Sequence, residues 1–107
     1  MNIIDASEII KKLYRETTHS KIEWDLAIKN FNNCLLKENN LIILEQCILN
    51  DPDWELHVEG RLFLLDKAKR LGACSRKFLI DYYGYLSAHL DPSERRQHAE
   101  KKLEELL

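Results

Sequence analysis

The strongest constraint on this chain is a pattern that repeats along it. A polar helix-start mark appears, and apolar residues follow at steps of three and four. Ser20-Lys21-Ile22-Glu23 is the clearest mark, a capping box in which Ser20 and Glu23 can satisfy each other's exposed backbone N–H groups. Behind it Trp24, Ala27, Ile28, Phe31 and Leu35 fall on one helical face. Asp5-Ala6-Ser7-Glu8 has the same form and precedes Ile9, Ile10 and Leu13. Asn39-Asn40 ends the second helix and can cap a third, Leu41 to Leu49. That segment is apolar nearly all round, which suits a buried helix or, on periodicity alone, a buried strand. Leu41, Leu44, Glu45 and Gln46 favour the helix.

Asp51-Pro52 pairs an N-cap with Pro at the first helical position, where the missing N–H costs nothing. The helix expected there runs to about Leu71 through Leu56, Leu62, Phe63, Leu65 and Ala68, with Gly72 as its C-terminal cap. Ser75 caps a fifth helix that buries Phe78, Leu79, Tyr82, Tyr83, Leu86 and Leu90. Gly84 lies inside it, at a position where close backbone packing would explain a glycine. Asp91-Pro92-Ser93-Glu94 opens a sixth helix with Ala99, Leu103, Leu106 and Leu107. Only three Gly and two Pro occur, too few for the many tight turns of an all-β fold. The expectation is an all-α single domain over residues 1–107. It would hold about six antiparallel helices in a compact bundle or a short HEAT-like α-solenoid.

An internal echo bears on that choice. His57-Val58-Glu59-Gly60-Arg61-Leu62 compares with His98-Ala99-Glu100-Lys101-Lys102-Leu103, an offset of 41 residues, and Asp-Pro precedes each copy. The segments around Asp51-Pro52 and Asp91-Pro92 resemble the turns of HEAT and armadillo repeats. That resemblance implies stacked helix pairs presenting a surface to a protein or nucleic-acid partner. Asp-Pro is also a good helix start in its own right, which would account for both copies without a repeat.

Residues with chemical potential are ordinary one by one. His19, His57, His89 and His98 form no H-E-x-x-H or other ligand pair at helical spacing. His57-Val58-Glu59 begins a zinc-deaminase signature, but the P-C-x-x-C half is missing. Cys34, Cys47 and Cys74 are widely spaced among apolar neighbours and suggest buried reduced thiols. No phosphate-binding glycine loop or nucleophile elbow occurs. A non-enzymatic protein without metal or cofactor is therefore expected. The start of the chain lacks a secretory pattern, and no apolar run approaches membrane-span length, so a cytoplasmic location is expected.

Charge is distributed unevenly. Residues 38–60 hold six acids (Glu38, Glu45, Asp51, Asp53, Glu55, Glu59) and no Lys or Arg. Residues 61–77 hold six bases (Arg61, Lys67, Lys69, Arg70, Arg76, Lys77) against Asp66. Compensation of helix dipoles explains part of this polarity. It does not explain the absence of bases over 38–60. An acidic patch with an aromatic anchor suits a basic protein partner. The expected contact residues are Glu45, Asp51, Asp53, Trp54, Glu55 and Glu59. At the level of class, a small, single-domain protein with an acidic face is similar to bacterial immunity proteins, which implies a cognate inhibitor of a basic toxin such as a nuclease.

The segment Ala68 to Lys77 resembles the turn of helix-turn-helix DNA-binding domains, with Leu71-Gly72 followed by a Ser75-capped basic start. That resemblance implies a nucleic-acid contact through Arg70, Ser75, Arg76 and Lys77. The net charge of −2 places it second to the protein-binding reading. A homo-oligomer using Tyr82, Tyr83 and Tyr85 is a third possibility.

Overall fold

In a computed structural model, residues 1–16, 18–89 and 94–107 are described. They form six helices: α1 (Ile3–Arg15), α2 (Lys21–Lys37), α3 (Leu41–Leu49), α4 (His57–Arg70), α5 (Arg76–His89) and α6 (Glu94–Leu106). The fold is all-α, with no strand among the described residues.

Most start and stop marks act as their chemistry dictates. Ser20 Oγ accepts from Glu23 N–H, Asn40 Oδ1 from Ile42 N–H, and Ser75 Oγ from Phe78 N–H. Gly72, at φ 106°, closes α4 with the paired bonds of a Schellman motif: Ala73 N–H to Ala68 O and Gly72 N–H to Lys69 O. Two starts differ from expectation. The first helix begins earlier, because Asn2 Oδ1 accepts from Asp5 N–H at 2.8 Å. Its buried face is accordingly Ile3, Ala6, Ser7, Ile10 and Lys11, and Ile9 turns outward. The fourth helix begins at His57, because residues 51–56 form a turn of their own. The Asp91-Pro92-Ser93 start and Leu90 lie outside the described residues. His57 opens α4, whereas His98 stands inside α6, so the two copies of the echo sit differently on their helices.

The helices pack as consecutive pairs: α1 on α2, α3 on α4, and α5 on α6. The first two pairs then pack together, α1 against α3 and α2 against α4. Ile10, Phe31, Leu44, Leu56, Leu64 and Leu65 are fully buried and form the core of this stack. Lys11 reinforces it, donating from Nζ to the carbonyl of Asn50 at the end of α3. Lys67 does the same between α4 and α2, donating to the carbonyl of Leu35, and its burial lowers its pKa.

The third pair is attached differently. Its backbone meets the others where α5 lies against α4, Arg95 of α6 adds an ion pair to Asp66 of α4 at 2.8 Å, and no Cα of α3 lies within 8 Å of any in α5. The radius of gyration is 14.1 Å, against about 13 Å for a compact domain of this length. The extents of 40 × 29 × 20 Å match that elongation.

Phe63, expected in the core, is 50% exposed, because the buried stripe of α4 runs through Arg61, Leu64, Leu65 and Ala68. Tyr85, absent from the expected core, is among its most buried residues. Of the cysteines, Cys47 is buried, Cys34 half-buried and Cys74 exposed, so not all three thiols are core residues.

Candidate functional site: the open seam between α3 and α5

The turn at 51–56 is organised by a buried charge. Asp51 is 0% exposed. Its Oδ1 accepts from the amides of Glu55 at 2.7 Å and Leu56 at 3.4 Å. Its Oδ2 and its carbonyl both accept from Arg61 Nη1, at 2.8 and 2.9 Å. Arg61, 2% exposed, reaches with Nη2 to Asp81 on α5 at 2.6 Å. One guanidinium thus joins the turn, α4 and α5. Burial pushes the Asp51 carboxyl up, while Arg61 and the two amides pull it down. A chain bound this way cannot start a helix at Pro52, and α4 waits until His57.

Trp54 completes the arrangement. It adopts φ 57°, a left-handed conformation unfavourable for a side chain of this size. The return is aromatic packing. Its ring meets Tyr85 edge-on at 5.1 Å and His89 at 5.0 Å, and Tyr85 stacks on His89 at 4.5 Å. The Arg61 guanidinium lies 5.7 Å from the ring centres of both Trp54 and Tyr85. Two polar atoms buried here, Arg61 Nε and the Tyr85 hydroxyl, have no hydrogen-bond partner. Burial raises the Tyr85 phenol to about 12.

Above this cluster the gap between α3 and α5 opens as a groove of about 810 Å³. Glu45 and Leu49 line it from α3, Trp54 from the turn, and Arg61 from the floor. Lys77, Asp81 and Gly84 present a stripe of α5 to it, and Leu103 and Leu107 flank the far side. Leu49 is 61% exposed and Leu107 79% exposed. A cavity of this size, mostly apolar with a few converging polar groups, has the character of a binding site.

The expected acidic patch is divided by the fold. Glu45 is half-buried on the groove wall, Trp54 is half-buried beside it, and Asp53 is exposed. Asp51 is internal and cannot touch a partner, because it is the counter-ion of Arg61. Glu55 is taken by Arg15 of α1, which donates to both carboxylate oxygens at 2.8 and 2.7 Å. That bond holds the Glu55 carboxyl below its usual range. The Glu59 side chain lies outside the described ones.

The basic set implied by the helix-turn-helix resemblance does not form one surface either. Ser75 Oγ is the cap of α5. Arg76 donates from Nε and Nη2 to the Leu106 carbonyl, at 3.0 and 2.6 Å, so the end of α6 covers the start of α5. Arg70 lines a separate cavity between α2, α4 and α5, together with Lys67, Lys69 and Tyr82. Lys77 faces the groove. The groove therefore gathers Glu45 and Trp54 from one expected set with Ser75 and Lys77 from the other.

Sequence reasoning gave Arg61 and Asp81 no structural role, and it placed Tyr85 in a homo-oligomer contact with Tyr82 and Tyr83, whereas Tyr82 and Tyr85 are buried inside the fold. A signal for two of them was present: Arg61 shares its spacing with Leu64, Leu65 and Ala68, and Asp81 shares its spacing with Phe78 and Tyr85. A charge on a buried stripe calls for a charged partner on another element.

Among the described residues no group of three or more His, Cys, Asp or Glu is placed to hold a metal ion. No described helix is long and apolar enough to cross a membrane. Compared with protein-family models, curated proteins and solved structures, the chain matches none.

Proposed function

We propose that this protein is a non-enzymatic binding module for a basic protein partner. Its most concrete form is a cognate inhibitor, similar in class to small immunity proteins, that neutralises a basic toxin such as a nuclease. The observation that carries this reading is the open seam between α3 and α5. Its α3 wall and adjoining turn belong to a stretch, residues 38–60, with no Lys or Arg. The groove offers apolar area for desolvated contact, while Glu45 and Asp53 supply charge that steers a basic partner.

Tagged protein recovered from its native host should carry a basic protein whose affinity falls with added salt. The double charge reversal Glu45→Lys with Asp53→Lys should weaken that affinity by about a hundredfold, near 3 kcal/mol. An acidic partner, or an affinity indifferent to the reversal, would remove the reading.

A further inference from the structure

Close packing does not explain Gly84, since a Cβ there would meet no atom within 4 Å. A sharper mismatch lies in the cavity of about 840 Å³ between α2, α4 and α5. Lys67, 9% exposed, is the most buried of the cations that line it. A buried charge normally has a counter-ion. Among the described residues Lys67 has none: its ammonium donates to the Leu35 carbonyl, which also accepts from Glu38 N–H. Burial lowers the Lys67 pKa, Arg70 three residues further along α4 lowers it again, and Glu38 beyond the end of α2 raises it less. Lys69 stands beside them, 5.7 Å from the Tyr82 ring centre. The described acid of the lining, Asp66, is committed to the Tyr82 hydroxyl and to Arg95, at 2.8 Å each. Three cations therefore line the cavity, and its acid is already matched elsewhere. Asn32 Oδ1 is also buried there without a hydrogen-bond partner.

We infer that this cavity binds a small organic oxyanion, a carboxylate or phosphate on an apolar body, with its head on Lys67 and Arg70 and its body along Leu35, Phe63 and Leu71. Charge selects the head. An oxyanion supplies the counter-ion that Lys67 lacks, and an Arg fork beside a Lys ammonium suits carboxylate and phosphate oxygens. The lining selects the body. Leu36, Phe63 and Leu71 are exposed apolar residues of the cavity, and a bare inorganic ion would leave them in water. The volume lies within the range of about 300–1,000 Å³ usual for small-molecule sites. Asn32 Oδ1 adds an acceptor for a ligand hydroxyl or N–H. A nucleic acid fits less well, because its phosphates are met by exposed cations, whereas Lys67 is buried. The inference goes beyond the basic-partner reading and makes no use of the α3–α5 groove.

The probes are decanoate and decyl phosphate, each titrated calorimetrically into the whole protein below its micelle concentration. Decanol presents the same body without the charge, and inorganic phosphate the charge without the body. At least one of the two acids should saturate the protein at about 100 μM or below, and the tighter one identifies the head the site takes. Decanol and inorganic phosphate should each bind at least about tenfold more weakly. Lys67→Met keeps an apolar stem and removes the charge. It should abolish binding while the urea midpoint stays level or rises, because the free protein no longer buries an unmatched cation. Arg70→Gln, at an exposed side chain, should weaken binding about tenfold and decides the matter even if Lys67→Met does not fold. Amide resonances should shift at Leu35, Lys67 and Arg70 and stay fixed at Glu45 and Leu49, which separates this cavity from the α3–α5 groove. Five results would each overturn the inference: undiminished binding in both variants, decanol as strong as the acids, inorganic phosphate as strong, shifts confined to the groove, or no saturation below about 1 mM. The basic-partner reading is decided separately, by the charge reversal at Glu45 and Asp53.

Discussion

The two junctions between helix pairs differ in kind. Where the first pair meets the second, both helices of each find a partner, and the contact is mainly an apolar layer around Ile10, Phe31 and Leu44, edged by the Lys11 and Lys67 hydrogen bonds. Where the second meets the third, only the backbones of α4 and α5 come close, and the contact is built on Asp51, Arg61, Asp81 and an aromatic cluster, with Arg95 of α6 reaching Asp66 of α4. The first junction is closed by apolar burial, which is non-directional and tolerates small shifts. The second is held by hydrogen-bonded charge, which is directional and fixes α5 at one distance from the turn. The lesson is that an ion pair can hold a seam open as firmly as apolar packing holds one shut, and an open seam of fixed width is what a binding groove requires.

Removing the charge should break the second junction most severely. Arg61→Met leaves Asp51 buried without its counter-ion and should cost about 3–5 kcal/mol, a large share of the stability of a domain this size. Urea unfolding followed by circular dichroism would show it, and a loss below about 1 kcal/mol would mean the seam does not depend on the pair. The aromatic part should come next. Trp54→Ala removes the packing on Tyr85 and His89 and should cost about 2–3 kcal/mol, whereas Phe63→Ala, at a half-exposed site away from the seam, should cost about 1 kcal/mol or less. Equal costs would erase the distinction between the junction and the general surface.

A smaller effect of opposite sign should sharpen the comparison. The Tyr85 hydroxyl is buried and unsatisfied, so Tyr85→Phe should stabilise the protein by about 1 kcal/mol. The same hydroxyl should give an alkaline signature. Its pKa is raised from 10 in the unfolded chain to about 12 in the fold, so the folded state holds the proton longer. Its contribution is therefore complete below pH 10 and is lost as the pH rises from 10 to about 12. Urea midpoints across that window should fall for the native protein more steeply than for Tyr85→Phe. Parallel slopes would place the hydroxyl in water.

These same contacts mark where the sequence was legible and where it was not. The caps at Ser20, Asn40, Gly72 and Ser75 are local devices, and each acts within five residues of its position, so the helices they bound could be read directly. Asp51-Pro52 carries an equally good local signal, yet the helix starts at His57. The deciding forces come from Arg61, Tyr85 and His89, 10 to 38 residues away in sequence. The acidic stretch was legible as composition. Which acids face outward was not, because Glu55 is claimed by Arg15 across 40 residues and Asp51 by Arg61. The groove was not legible at all, since it is defined by two helices distant in sequence whose Cα atoms all stay more than 8 Å apart.

The most direct test is the double charge reversal Glu45→Lys with Asp53→Lys, read on a single preparation by urea midpoint and by affinity for the basic partner. Both carboxylates stand outside the network of Asp51, Arg61 and Asp81, so the prediction is an unchanged urea midpoint together with about a hundredfold loss in affinity. Affinity unchanged by the reversal would contradict it, because the seam between α3 and α5 would then not be where this protein binds.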